Sequence, residues 1–125
     1  MTRWRNAARL VLVAGLFTLA ALPAPAQQVR VTGLFSDMHY IPQAGDVLGT
    51  EVFIVVSPGG YSAVVQLAEG QPQMPVVVPV NVNGLDVSFS LPNNLKFAGR
   101  VSNSALVGTL GFDKVSLRRG KSYWQ

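Results

Sequence analysis

The sequence predicts an all-β protein: a small antiparallel meander of about eight short strands, forming a barrel or barrel-like sandwich, preceded by a signal-peptide helix. Three observations predict it. Apolar and polar residues alternate with period 2 over several stretches, which sends successive side chains to opposite faces of a strand. Clusters of Gly, Pro, Asn and Asp punctuate these stretches at short intervals. Past the leader, no stretch joins helical period to helix-forming composition at useful length, and one short turn around residues 43–47 or 67–71 is all the pattern allows.

The first element is the leader, Met1 to Ala26. Arg3, Arg5 and Arg9 give a positive head, Leu10 to Leu22 is an uncharged run of 13 residues, and Ala24-Pro25-Ala26 is the small-x-small site that a signal peptidase cuts. A bilayer-spanning helix needs about 20 apolar residues, so the run reads as a cleavable core and leaves no stable membrane anchor after cleavage. Strands then follow at Val29–Val31, Val47–Val56, Tyr61–Leu67, Met74–Val82, Leu85–Leu91, Leu95–Val101, Ala105–Leu110 and Val115–Arg118. Pro58-Gly59-Gly60, Asn83-Gly84, Pro92-Asn93-Asn94, Asn103-Ser104 and Gly111-Phe112-Asp113 supply the reversals. Asn83-Gly84 has the residue pair favoured by a type I′ hairpin. Such short connections favour sequential antiparallel neighbours. Pro75 and Pro79 lack the N–H that a central ladder uses, so Met74–Val82 is expected at an edge or at a bulge. Gly33, Gly49, Gly99 and Gly108 fall inside strands, where glycine marks a sharp bend or bulge. Strands this short argue against an outer-membrane barrel, whose strands run to about 9–11 residues.

Removing the leader leaves 99 residues: a single domain, 27–125. The whole chain carries a formal charge of +4. Past residue 26, seven basic residues face six acidic ones, so the balance falls to +1. The bases are scattered until the last few residues, which excludes the basic stripe a nucleic-acid binder needs. Cysteine is absent, removing disulfides, thiolate metal sites and a lipidated cysteine. Burial alone must hold the domain together, and at this size folding buries only about 60–70% of the exposable surface.

Candidate chemistry is sparse. His39 is the only histidine and lies in Ser36-Asp37-Met38-His39-Tyr40. Catalytic triads are assembled in space, so this adjacency does not make one. The acids Asp46, Glu51, Glu69 and Asp86 are far apart in the chain and read as solvated charges, with Asp46 capping a turn. No His, Cys or carboxylate cluster has metal-ligand spacing, and Gly59-Gly60 lacks the lysine and helix of a phosphate loop. Expected catalytic, cofactor and metal residues are therefore none.

The C-terminus is the one unusual local feature. Arg118, Arg119 and Lys121 stand beside Tyr123 and Trp124 at the chain end. As a binding segment, these five residues would meet an anionic surface, such as a phosphate-bearing envelope polymer, with aromatic stacking beside charge. As a structural segment, Tyr123 and Trp124 would fold back over an open end of the core while the basic residues guard an edge. Deleting Trp124 would then cost about 3–5 kcal/mol.

Gly99-x-Val101, Leu106-x-Gly108, Leu117-x-Arg119 and Ser122-Tyr123-Trp124-Gln125 occupy the last third. Together with Gly45-Asp46-x-x-Gly49-Thr50-Glu51-Val52 and Ala68-Glu69-Gly70, this pattern resembles small exported bacterial β-proteins of unknown function. The resemblance implies export and a β-fold, and it implies no activity.

These readings converge on a periplasmic or secreted, non-enzymatic β-domain without cofactor. Its expected partner is an envelope protein or polymer, met through an edge strand such as Met74–Val82 or through the basic-aromatic C-terminus. The alternative is a lipocalin-like carrier holding a small apolar ligand in the barrel mouth. N-terminal sequencing of the exported protein is expected to begin at Gln27, and retention of Met1 would contradict the leader assignment.

Overall fold

The computed structural model describes residues 14–15 and 28–125 of the chain; the expected signal-peptide helix, residues 1–26, lies essentially outside them. The described chain is all-β, with strands β1 (Gly33–Ser36), β2 (His39–Ile41), β3 (Asp46–Ser57), β4 (Gly60–Gly70), β5 (Val76–Asn83), β6 (Asp86–Ser90), β7 (Lys96–Val101), β8 (Ala105–Leu110) and β9 (Asp113–Arg119). From β3 to β9 each strand pairs antiparallel with the next. The barrel closes because β1 pairs with β9 on one side and β3 on the other.

Eight staves make the wall. β1 and β2 are two parts of one stave, since both lie along β3 in an unbroken register, Gly33↔Ile54 to Ser36↔Glu51 and then His39↔Leu48 to Ile41↔Asp46. The break falls at Asp37 and Met38. There the Asp37 N–H donates to the Thr50 carbonyl at 3.1 Å, while the Asp37 carboxylate, in place of its carbonyl, accepts the Thr50 N–H at 2.6 Å. The first stave therefore starts later than the expected Val29–Val31 strand and takes in His39–Ile41, which lay outside every expected strand.

Alternation fills the interior. Phe35, Val52, Ile54, Ala63, Val65, Val87, Phe97, Val101, Leu106 and Leu117 are each at most 2% exposed. Phe89 and Phe97, opposite each other on β6 and β7, stack with centroids 4.8 Å apart. Large rings inside a small barrel need small neighbours. Gly99 and Gly108, paired across β7 and β8, supply them: a Cβ on Gly99 would lie 2.7 Å from the Val107 carbonyl, and one on Gly108 would run into the Ala98 carbonyl.

Two turns differ from the expectation in an instructive way. The hairpin after β5 is closed by Asn83↔Asp86, so its central residues are Gly84 and Leu85. Gly84 alone takes positive φ, at 62°, the pattern of a type II′ turn and not type I′. The residues allowed a helical turn, 43–47 and 67–71, instead form turns and strand, and the short 3-10 turn is Pro92–Asn94. Asn93 and Asn94 take φ of 67° and 59° there, which asparagine tolerates better than other L residues.

The glycine pair yields a clear expectation. Gly108→Ala forces backbone apart at the β7–β8 contact, so it should cost about 3 kcal/mol or more in a denaturant melt, the upper range for overpacking. A loss under about 0.5 kcal/mol, the scale of an ordinary surface change, would contradict the close approach.

Candidate functional site

Period 2 combined with register puts Ser36, Glu51 and Gln66 in one cross-strand row on the outer face, because Ser36 opposes Glu51 and Glu51 opposes Gln66. Arg118 extends the row on the other side of Ser36. The C-terminal segment crosses this row. It leaves β9 after Arg119, the Gly120 N–H donates to the Leu34 carbonyl at 3.0 Å, and the chain then passes over β1 and β3 to reach β4.

Glu51 is the anchor of the crossing. Its Oε1 accepts the Ser122 hydroxyl at 2.6 Å, and its Oε2 accepts the Tyr123 N–H and the Ser36 hydroxyl, both at 2.9 Å. Although its side faces outward, Glu51 is only 8% exposed. Three donors compensate the loss of water around the carboxylate. Further along, Trp124 Nε1 donates to Gln66 Oε1 at 2.8 Å, and Gln66 Nε2 donates to the Gln73 carbonyl at 2.9 Å. The Ser122 hydroxyl also accepts the Trp124 N–H at 3.1 Å. Tyr123 and Trp124 meet edge to face, with centroids 5.0 Å apart.

The five residues expected to bind are thus divided. Arg118 and Lys121 are exposed, Tyr123 is half-buried, and Trp124 is held in place yet remains 59% exposed. Arg119 turns away from this surface. Opposite Phe35 in the β1–β9 pairing, its guanidinium lies 4.5 Å from the centre of the Phe35 ring. It donates to the carbonyls of Thr32 at 2.9 Å, Ser102 at 3.0 Å, and Arg30. Desolvation lowers its pKa below the ordinary arginine value, and the group stays cationic. Arg119 is a clasp for the barrel seam.

Two expectations are corrected. Tyr123 and Trp124 cover a side wall, not an open end of the core, because Gly120 follows β1 and sends the chain across the strands. Glu51 is not a solvated charge. Nothing in its own neighbourhood signals this, because its partners Ser122 and Tyr123 lie 71 and 72 residues away in the chain. Gln66 escaped notice for the same reason.

The Ser36-Asp37-His39 group does not assemble into a relay. The Ser36 hydroxyl is committed to Glu51, the Asp37 carboxylate to the Thr50 N–H, and His39 Nδ1 lies 2.8 Å from the Asp37 carbonyl, to which it donates. Among the described residues no group of three or more His, Asp or Glu could hold a metal ion. The remaining carboxylate contact of note, Asp86 with Arg100 at 3.1 Å, is an exposed pair.

Beside the tail, the next outward row is apolar. Leu34 opposes Phe53, Phe53 opposes Val64, and Val64 opposes Val77. Phe53 is 43% exposed and Val77 is 72% exposed. Comparison with protein-family models, curated proteins and solved structures returned no match. The roles of these residues therefore rest on geometry.

Removal of Glu51 and removal of Trp124 should differ. Glu51→Ala leaves three donors without their acceptor and should cost about 2–3 kcal/mol. Trp124→Ala loses one hydrogen bond and a partly exposed ring, about 1–1.5 kcal/mol, well short of a core aromatic. Denaturant melts check the ranking, and the reverse order would contradict the anchoring role of Glu51.

Proposed function

We propose that this protein is an exported, non-enzymatic binding module that meets an anionic envelope polymer on the outer wall crossed by its C-terminal segment. One observation carries the reading: Trp124 is fixed by Gln66, Ser122 and Tyr123 while more than half of it faces solvent. Stability alone favours burying so large a ring. A rigid, exposed aromatic is what a binding anchor requires, since little conformational freedom is lost on contact.

The surroundings support the same reading. Arg118 and Lys121 supply exposed positive charge, with Arg118 three strand spacings from Gln66, about 14 Å, along the row. That spread suits an extended chain of repeating anionic groups better than a single small anion. Export rests on the leader, Met1 to Ala26. The absence of enzymatic chemistry from this reading rests on Ser36, Asp37 and His39 each being engaged with a different partner. A lipocalin-like carrier would have to open an interior already occupied by Phe35, Phe89 and Phe97, which is why the outer wall is preferred.

Retention of phosphate-bearing polymer from envelope extract on immobilised protein tests the proposal. The wild type should retain it in a salt-sensitive way, and Trp124→Ala or the pair Arg118→Glu with Lys121→Glu should reduce retention about tenfold while remaining folded by circular dichroism. Equal retention by wild type and both folded variants would overturn it, as would salt-insensitive retention of a protein partner alone.

A further inference from the structure

The barrel wall is split between β5 and β6. Their ladder consists of Asn81↔Ser88, Val82↔Val87 and Asn83↔Asp86, and among the described residues no strand pairs with Val76–Val80 on that side. The sequence explains the stop. In a two-residue hairpin the flanking pair is hydrogen-bonded, so Asn83 and Asn81 direct their backbone groups to β6 and, by alternation, Pro79 and Val77 direct theirs the same way. The β3–β4 hairpin gives the same answer independently: Ser57↔Gly60 closes it, which leaves Tyr61, Ala63 and Val65 to bond Val80, Val78 and Val76. Pro79 therefore stands where the next N–H toward β6 is needed and has none. Ser90, its would-be partner, faces Lys96 of β7 on its other flank and has no partner in β5.

The split opens onto a surface cleft of about 570 Å³. Pro79, Asn81, Ser88, Ser90 and Lys96 line it together with the core residues Val80, Phe89 and Phe97. Among the described residues, Lys96 is the only charged one in that lining. The unpaired edge of β5 offers the carbonyls of Val77 and Pro79 and a single donor, the Val77 N–H.

We propose that this slot docks an extended segment of a partner protein that carries a carboxylate opposite Lys96. The incoming backbone donates N–H groups to the Val77 and Pro79 carbonyls and accepts the Val77 N–H, which is strand addition with pockets for alternate side chains. A second copy of this chain is a poor occupant. Its own edge has one donor between Pro75 and Pro79, so two such edges can exchange only the bonds of Val77, and this is how prolines guard a strand against self-association. A foreign strand brings its own donors, and its acid neutralises Lys96. This slot is separate from the Trp124 wall, which is built on β3 and β4.

The experiment uses 15N-labelled full chain and a capped synthetic peptide, acetyl-Thr-Val-Asp-Val-Thr-Val-Thr-amide, followed by amide shifts and hydrogen exchange. Without peptide, the Val77 amide should exchange rapidly while those of Val76, Val78 and Val80 are protected. With peptide, shifts should saturate at Val77, Asn81, Ser88 and Lys96, and Val77 exchange should slow. Lys96→Glu and a peptide N-methylated at alternate residues should each bind about tenfold more weakly. Protection of Val77 in the free protein, absence of saturable shifts along β5 and β6, shifts confined to the Trp124 wall, or self-association through Val76–Val80 would each overturn the proposal.

Discussion

Closure of the barrel through a four-residue strand is the constraint on which the rest depends. β1 meets β9 through only two residue pairs, Phe35↔Arg119 and Ser36↔Arg118. So short a seam has little ladder to hold it, and Arg119 adds what is missing. Its guanidinium covers the Phe35 ring and binds three backbone carbonyls from two separate segments, near residues 30–32 and at Ser102. A charge placed there is partly desolvated, yet its fork of donors is well matched to converging carbonyls. The cation and the aromatic ring thus act as one closing element.

The outer wall follows from that seam. With β9 beside β1, the chain emerging after Arg119 turns across the staves, and Gly120 starts the crossing by bonding Leu34. Glu51 then receives the segment, and Gln66 receives the indole. Met38 and Ala68, which alternation places on this same outer face, are buried at 8% and 3% exposure. At Glu51 the covering layer is the C-terminal segment, through Ser122 and Tyr123, and Ala68 is bridged by Pro72. Among the described residues no segment is bonded across the outside of β5 to β8, and this part carries the split at Pro79.

How far this was legible from residues varies by kind of signal. Strand identity from Val47 onward was readable, since each run obeys period 2 and each turn has its own chemistry. Pro79 marked the place where a ladder stops, but the expected position at a sheet edge is corrected: β5 is an interior stave between β4 and β6, open toward β6 only over Val76–Val80. The Asn83-Gly84 turn moved by one residue because the register between β5 and β6 decides which two residues become central. Arg119 looked like its neighbours Arg118 and Lys121 in composition, but alternation beside the inward Leu117 and the outward Arg118 already pointed it inward. Glu51 gave no equivalent hint.

By itself the sequence determined what local rules control: an all-β meander, its order of strands, the absence of cysteine, and the weak point at the prolines. Only the tertiary structure decided closure, because joining β1 to β9 requires a contact across more than 80 residues that no local periodicity encodes. It also decided that a lone glutamate becomes a buried anchor and that one of three adjacent bases becomes a clasp. A side chain's burial depends on what crosses over it, and the crossing segment here comes from the far end of the chain.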